Sequence, residues 1–330
     1  FGLTAAAVAA AAAAETDWAD LAAKRLYRPL GMERTSSRFA DYMARSNRAV
    51  PHMQIDGVWT AKAQRDPDAQ SPAGGVSSTV RDLARWLRLQ LGGGTFDGQE
   101  IVAAAPLAET HQPQIVSNPA KNPATDRASF YGLGWGVGYN DDGSVRISHS
   151  GAFNLGAGTA VYCYPGSRLG IAVLTNASPI GAAETVALSF LDLAERGAIS
   201  RVWPTLVAGA YAQLNAPTYG TEVDYTAPPA SVSPALATGS YTGAFSNELY
   251  GDLVVGEEGR GLMMRLDPAM TAYPLTHYDR DVFSYQPVGE NAYGPSGVTF
   301  FVGPTGKAER VTLENLDQHQ QGTFTRIANG

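Results

Sequence analysis

Among the side chains of this 330-residue chain that can move a proton or attack a carbon near neutral pH are five histidines, one cysteine, and its serines, tyrosines and lysines. His149 comes first, because Ser150 and Gly151 follow it directly in a stretch of strand-forming residues. An imidazole held on a strand can relay a proton, although a histidine so placed is more often an ordinary half-exposed residue. His52, His111, His277 and His319 show neither metal-ligand spacing nor helical pairing and read as surface or loop residues. No metal and no cofactor is expected. Cys163 stands alone and can form neither an internal disulfide nor a thiolate cluster. The run Gly132-Leu133-Gly134-Trp135-Gly136 opens no helix and lacks the final glycine spacing of a dinucleotide loop, so it reads as tight turns.

The elements that must position these residues follow from periodicity. The alanine run at residues 5 to 14 lacks a capping residue and a positive flank, and reads as the end of a helix that begins upstream. It is too short and too weakly apolar to span a bilayer. Asp17 caps a second helix, with Trp18, Leu21, Ala22 and Leu26 at helical spacing until Pro29 stops it. Residues 34 to 70 are polar with scattered prolines, which predicts a long loop region without regular elements. Thr79-Val80-Arg81-Asp82 is a capping box that opens the clearest helix, with Val80, Leu83, Ala84, Leu87 and Leu91 on one face and three glycines at its end.

The period turns to that of strands at residues 145 to 149, 158 to 164 and 168 to 176, which predicts an antiparallel meander. Its last member, Leu169-Gly170-Ile171-Ala172-Val173-Leu174, is apolar without alternation and predicts cover on both faces and a neighbour on both sides. A meander in this order leaves one side open unless a strand from elsewhere pairs there. Residues 182 to 197, with Val186, Leu188, Leu191 and Leu193, read as a final helix over the sheet, ended by Gly197.

Residues 216 to 234, rich in Pro, Thr, Ser and Ala, read as a linker between a domain at 1 to 215 and a second at 235 to 330. The second is all-β in composition, with short runs at 253 to 255, 262 to 266, 282 to 285, 298 to 302 and 310 to 313. Gly, Asp and Pro turns space them, which points to a small antiparallel barrel or sandwich. A chain that is 44% hydrophobic and 17% charged can bury both cores. Its net charge of -7 offers no basic stripe for a phosphate backbone, which excludes nucleic acid and leaves a small molecule or peptide as the fitting partner.

Four segments occur in a telling order: Pro29-Leu30-Gly31-Met32, Pro72-Ala73-Gly74-Gly75, Tyr131-Gly132-Leu133-Gly134-Trp135 and His149-Ser150-Gly151. With the Pro165-Gly166 turn and the strand ending Leu174-Thr175-Asn176, they resemble the β-lactamase-related, penicillin-binding-protein-like serine hydrolases over residues 1 to 197. The resemblance implies an α+β fold, an antiparallel sheet flanked by helices with its N-terminal part absent, followed by a small antiparallel β-barrel. It implies hydrolysis of β-lactams, D-amino peptides or small esters through an acyl-serine, in an extracytoplasmic compartment. Tyr241-Thr242-Gly243-Ala244-Phe245 and Leu275-Thr276-His277-Tyr278-Asp279 resemble the lipocalin-like barrel appended to some of these hydrolases.

In that family a Ser-x-x-Lys motif supplies nucleophile and base, a Tyr-x-Asn or Ser-x-Asn motif supplies the second proton relay, and a Lys-Thr-Gly or His-x-Gly strand faces them. Only the third is here, and the nearest spacing to the first, Ser117 with Lys121, is one residue too long. By resemblance His149 serves the relay and the substrate's anionic group, Ser150 binds a ligand carboxylate or carbonyl, and Gly151 permits close approach. The Ala152 N–H supplies half of an oxyanion hole. Tyr131, Trp135, Gly74 and Gly75 are expected to line the substrate site. The serine and lysine are expected upstream of Phe1, because the family often reads Tyr-Ser-Asn directly before a segment like Phe1-Gly2-Leu3. The rival expectation is a binding or scaffold homologue that has lost its chemistry. The uncapped first helix and the half-covered strand favour the former.

Overall fold

The computed structural model describes residues 1–62, 64–122, 124–140, 142–227, 229–259 and 261–327, so the last three positions of the expected second domain lie outside the described residues. The chain divides into two compact units, Phe1–Leu214 and Asn215–Gly330.

The first unit begins with α1 (Gly2–Ala13) and α2 (Trp18–Ala22). Asp17 caps α2 by accepting a hydrogen bond from the Asp20 N–H at 2.9 Å, and the helix then widens into one π turn, Ala23–Tyr27. The region expected to lack regular elements instead holds α3 (Phe39–Ala44) and a hairpin of β1 (Met53–Ile55) and β2 (Val58–Thr60). The hairpin turns on Asp56-Gly57, whose φ angles of 50° and 79° are those an Asp-Gly turn supplies. After α4 (Ser71–Gly74), Thr79 caps α5 (Val80–Leu91) by accepting from the Asp82 N–H at 3.2 Å. The buried Asp82 carboxylate in turn accepts from the Arg34 N–H at 2.8 Å and the Thr35 hydroxyl at 2.9 Å, which anchors the start of the irregular region to the helix. A short hairpin, β3 (Thr95–Phe96) and β4 (Gln99–Glu100), leads to α6 (Ala104–Thr110).

The sheet that follows consists of β5 (Ile115–Asn118), β6 (Ser129–Tyr131), β7 (Gly136–Tyr139), β8 (Val145–Phe153), β9 (Ala157–Tyr164) and β10 (Leu169–Thr175). All pair antiparallel, in the spatial order β10-β9-β8-β7-β6-β5. One face packs Val137, Ile147 and Cys163 against Leu87 of α5. The other packs Ala160 against Ala183 and Ala187 of α7 (Ala182–Arg196). Two of the strand expectations change. The first meander strand runs four residues beyond His149, to Phe153. β10 contacts both α5 and α7, but it pairs with β9 alone and forms an edge of the sheet among the described residues. All seven of its residues are partly exposed, so its apolar run lacks the second neighbour it calls for.

α7 is not the last helix of this unit, since α8 (Trp203–Leu214) follows. Pro204 at its start reads as a breaker in sequence, yet the first helical turn tolerates proline because its N–H groups have no partner within the helix. Asp192 joins the two helices, accepting from the Ser200 N–H at 2.8 Å, the Ser200 hydroxyl at 2.7 Å and the Trp203 indole N–H at 2.7 Å. Burial raises the Asp192 carboxyl's pKa, but these hydrogen bonds outweigh it and hold the group below its ordinary value of 3.8. Its contribution to stability is therefore complete above that value and is lost as pH falls through the lower folded value. Asp192→Ala, which removes the acceptor of three part-buried hydrogen bonds, is expected to cost about 1–2 kcal/mol in urea unfolding at pH 7. Gly181→Ala is expected to cost about 2 kcal/mol in the same measurement. Gly181 sits at φ 82°, and a Cβ there would stand 2.2 Å from Val207 Cγ1.

The second unit is a closed antiparallel barrel of eight strands, each beside its neighbour in sequence. They are β11 (Gly243–Asn247), β12 (Gly251–Glu258), β13 (Gly261–Leu266), β14 (Thr271–Asp279), β15 (Val282–Tyr285), β16 (Ser296–Val302), β17 (Ala308–Leu313) and β18 (Thr323–Arg326). Phe245, Met264, Phe283, Phe300 and Phe324 fill its interior, so the barrel encloses a packed core. The described residues of the segment ahead of β11 form no strand, but they are fixed to the barrel. The Gly220 N–H donates to Glu314 at 2.8 Å, and the Tyr219 hydroxyl accepts from the Tyr293 N–H at 2.7 Å. Among the described residues no helix is long and apolar enough to cross a membrane.

Candidate active site

Pairing along β8 changes partway. β7 matches it only as far as Gly136 opposite Ser148, whereas β9 accompanies it from Ile147 to Phe153. Among the described residues, 149 to 153 therefore have a strand on one side alone, and alternate N–H and C=O groups of this stretch face away from β9. Side chains alternate along a strand, so His149, Gly151 and Phe153 share the face on which Ile147 packs against α5. Ser150 and Ala152 take the other face.

The His149 Nε2 lies 3.1 Å from the Tyr131 hydroxyl, with the two rings 6.1 Å apart and inclined at 62°. Burial pushes the His149 imidazole below its ordinary value of 6.5, partly offset by a hydrogen bond to the Ser150 backbone. Burial also pushes the Tyr131 phenol above 10.0. These shifts favour the neutral form of each group at pH 7, and the two share one hydrogen bond through which a proton can pass.

The other expected site residues divide. Ser150, adjacent to His149 on the strand, is exposed and by strand alternation takes the opposite face. A Cβ on Gly151 would lie 2.9 Å from Thr159 Oγ1. Ala152 is exposed. Trp135, expected to line the cleft, is 5% exposed and stacks on Trp86 at 5.3 Å with the His111 ring edge-on at 5.4 Å. It belongs to the core below the sheet. The glycines before it have backbone reasons: Gly134 has φ 88°, and a Cβ on Gly132 would stand 2.5 Å from the Thr110 carbonyl oxygen.

Gly74 and Gly75 line a cavity of about 200 Å³ at the Phe153 end of β8. A Cβ on Gly74 would stand 2.9 Å from Phe153 Cζ. The opposite wall, from Phe39, Tyr42, Pro51 and Arg65, comes from the irregular region and carried no signal in sequence. Long-range backbone contacts bring it there. Ser36 and Ser77 exchange hydrogen bonds at 3.0 and 2.9 Å, and the His52 N–H donates to the Asn176 carbonyl at 2.7 Å. His149 and the cavity thus mark the two ends of an exposed strip about 13 Å long, given the rise per residue of a strand.

Residues 1–194 match the sequence profile of the β-lactamase family, and residues 227–326 match that of a domain of unknown function, DUF3471. No curated protein sequence matches the chain. Among solved structures it is similar to the octameric penicillin-binding protein homologue from Pyrococcus abyssi, at 16% identity and a TM-score of 0.48, covering 95% of this chain and 61% of that one. It is similar to D-amino acid amidase from Ochrobactrum anthropi SV3, at 20% identity and a TM-score of 0.41, covering 53% of this chain and 49% of that one. The C-terminal domain of a penicillin-binding protein is similar at 31% identity and a TM-score of 0.27, over 30% of this chain and 93% of that one. The chain thus spans 61% of the first of these and 49% of the second.

Proposed function

Because the chain belongs to the β-lactamase family, we propose that it forms the substrate-facing half of a serine hydrolase whose nucleophilic serine and lysine lie on polypeptide upstream of Phe1. The serine Oγ attacks the carbonyl carbon of an amide, lactam or ester, and its proton passes to the lysine. The negative charge on the carbonyl oxygen falls to the Ala152 N–H together with the N–H of the serine itself. Collapse of the tetrahedral intermediate breaks the bond to the leaving nitrogen or oxygen, which takes up a proton. Water then adds to the acyl-serine and returns the serine hydroxyl. The His149 and Tyr131 pair passes protons on this face.

The single observation that carries this reading is the unpaired edge of residues 149 to 153, with His149 at one end and the cavity at the other. A substrate can lie along that edge and hydrogen-bond it as a strand would. The unpaired side of β10 offers a seat for an additional strand of the upstream polypeptide. The second reading, a binding homologue without chemistry, draws on the lack of any Ser-x-x-Lys. Hydrolysis of nitrocefin, D-alanine p-nitroanilide and p-nitrophenyl acetate separates the two. The 330-residue chain alone is expected to turn over none of them, and the chain extended upstream at least one. Failure of the extended protein on all three would favour the scaffold.

A further inference from the structure

The cavity beside Phe153 is defined by what its wall leaves for a ligand to do. Phe39 and Tyr42 of α3, Pro51, Phe153 and Leu155 make most of that wall apolar. Flat groups line it: the Phe39 and Tyr42 rings lie 6.0 Å apart at 26°, and the Arg65 guanidinium carbon lies 3.8 Å from the Phe153 ring centroid. Most polar side chains at the wall are engaged within the chain. The Tyr42 hydroxyl donates to the Ala49 carbonyl, the Thr175 hydroxyl to the Gly158 carbonyl at 2.7 Å, and the Asn176 amide to the Val50 carbonyl at 2.7 Å. Arg38 pairs with Asp17 and Asp20, each at 2.9 Å, and Gln70 meets the Arg65 guanidinium with its amide oxygen. What the space offers a ligand is therefore apolar contact, which gains free energy in proportion to the area it removes from water. Size sets the group. An apolar cavity of about 150 Å³ holds one benzene, so this one, of about 200 Å³, takes a single six-membered ring with a short link and leaves no room for a fused pair.

We propose that this cavity seats a single apolar ring of the substrate against Phe39, Tyr42 and Phe153, while the amide or ester portion of the same molecule lies along the unpaired edge of residues 149 to 153. As a statement about substrate it rests on the hydrolase reading, and within the amides, lactams and esters considered there it selects compounds with a ring close to the reacting carbonyl over acetyl-sized ones. Phe153 directly follows Ala152, whose N–H is assigned the carbonyl oxygen, so one small molecule can reach both. Gly74 keeps the space as it is, because a Cβ there would stand 2.9 Å from Phe153 Cζ and any side chain must displace that ring.

Binding requires no nucleophile, so the 330-residue chain itself can be tested by calorimetry and ligand-observed NMR with phenylacetamide, acetamide and 1-naphthylacetamide. Phenylacetamide is expected to bind at least about tenfold more tightly than acetamide, from burial of the ring, and more tightly than 1-naphthylacetamide, from the limit on size. Phe39→Ala removes one ring from the wall and is expected to reverse the order of the two aromatic probes, a result that loss of folding cannot mimic. Gly74→Ala is expected to weaken phenylacetamide at least about fivefold through the displaced Phe153 ring, with an unchanged circular dichroism spectrum as the check on folding. Equal affinity for phenylacetamide and acetamide, or phenylacetamide binding that neither substitution alters, would overturn the proposal. If phenylacetamide binds as stated but the upstream-extended protein hydrolyses nothing, the hydrolase reading fails and the cavity stands. If the extended protein hydrolyses p-nitrophenyl acetate as well as p-nitrophenyl phenylacetate and phenylacetamide does not bind, the cavity proposal alone fails.

Discussion

Replacing His149 by alanine in the protein that carries its nucleophile is expected to lower kcat/KM by about 10²–10³-fold, the range typical of a lost proton-transfer or charge-stabilising group. The loss should fall mainly on kcat, because His149 lies at the far end of the strip from the cavity that would hold the substrate's bulk. Its pH profile is the more specific readout. Burial holds the imidazole below 6.5, so the neutral form dominates at pH 7 and activity should decline as pH falls through that lower value. His149→Ala should lack this acidic limb. The same shift has a consequence for folding. The folded chain binds the proton less tightly than the unfolded one, so the contribution is complete above pH 6.5 and is lost as pH falls through the folded value. Tyr131→Phe should keep the limb and move its midpoint, since it removes only the hydrogen bond to Nε2.

Gly151→Val is expected to reduce kcat/KM by at least about 10²-fold, for two reasons that can be separated. A Cβ at this position meets Thr159 Oγ1 at 2.9 Å, and the added methyl groups would stand on the face proposed to receive substrate. The first effect costs stability and the second costs activity. Thr159→Ala in the same chain removes the clash, so the double variant should recover most of its melting temperature and little of its activity. Recovery of both would mean that Gly151 serves packing only and that substrate does not pass over this strand.

Much of the scaffold was legible where one local rule governs it. α5 declares itself through Thr79, Asp82 and the leucine spacing, and β8 to β10 through their β-rich runs and short turns. α8 was not, because its alanines and Pro204 hide the helical face. The five runs seen in the second unit all fall within strands, but its closure depends on β18 returning to β11, a pairing between residues about eighty positions apart that no local pattern encodes. The site shows the same division. His149 stands in a contiguous motif that the sequence displays, whereas Phe39, Tyr42 and Arg65 reach the cavity through the distant contacts of Ser36 with Ser77 and His52 with Asn176. The opposed directions of His149 and Ser150 follow from strand alternation, which residue identity within a motif does not convey. Trp135 illustrates the converse. A glycine-rich, aromatic segment near a cleft attracts a binding role, yet the large ring is most stable stacked on Trp86 beneath the sheet.

In the proposed enzyme the attacking serine lies outside these 330 residues and the receiving edge within them. Treatment of the upstream-extended protein with a fluorophosphonate, followed by peptide mass mapping, is predicted to place the adduct on one serine before Phe1. Alanine at that serine should abolish it, and the 330-residue chain alone should remain unlabelled. An adduct on any serine from Phe1 onward, formed equally by the chain alone, would contradict the assignment of β8 as the wall facing the nucleophile.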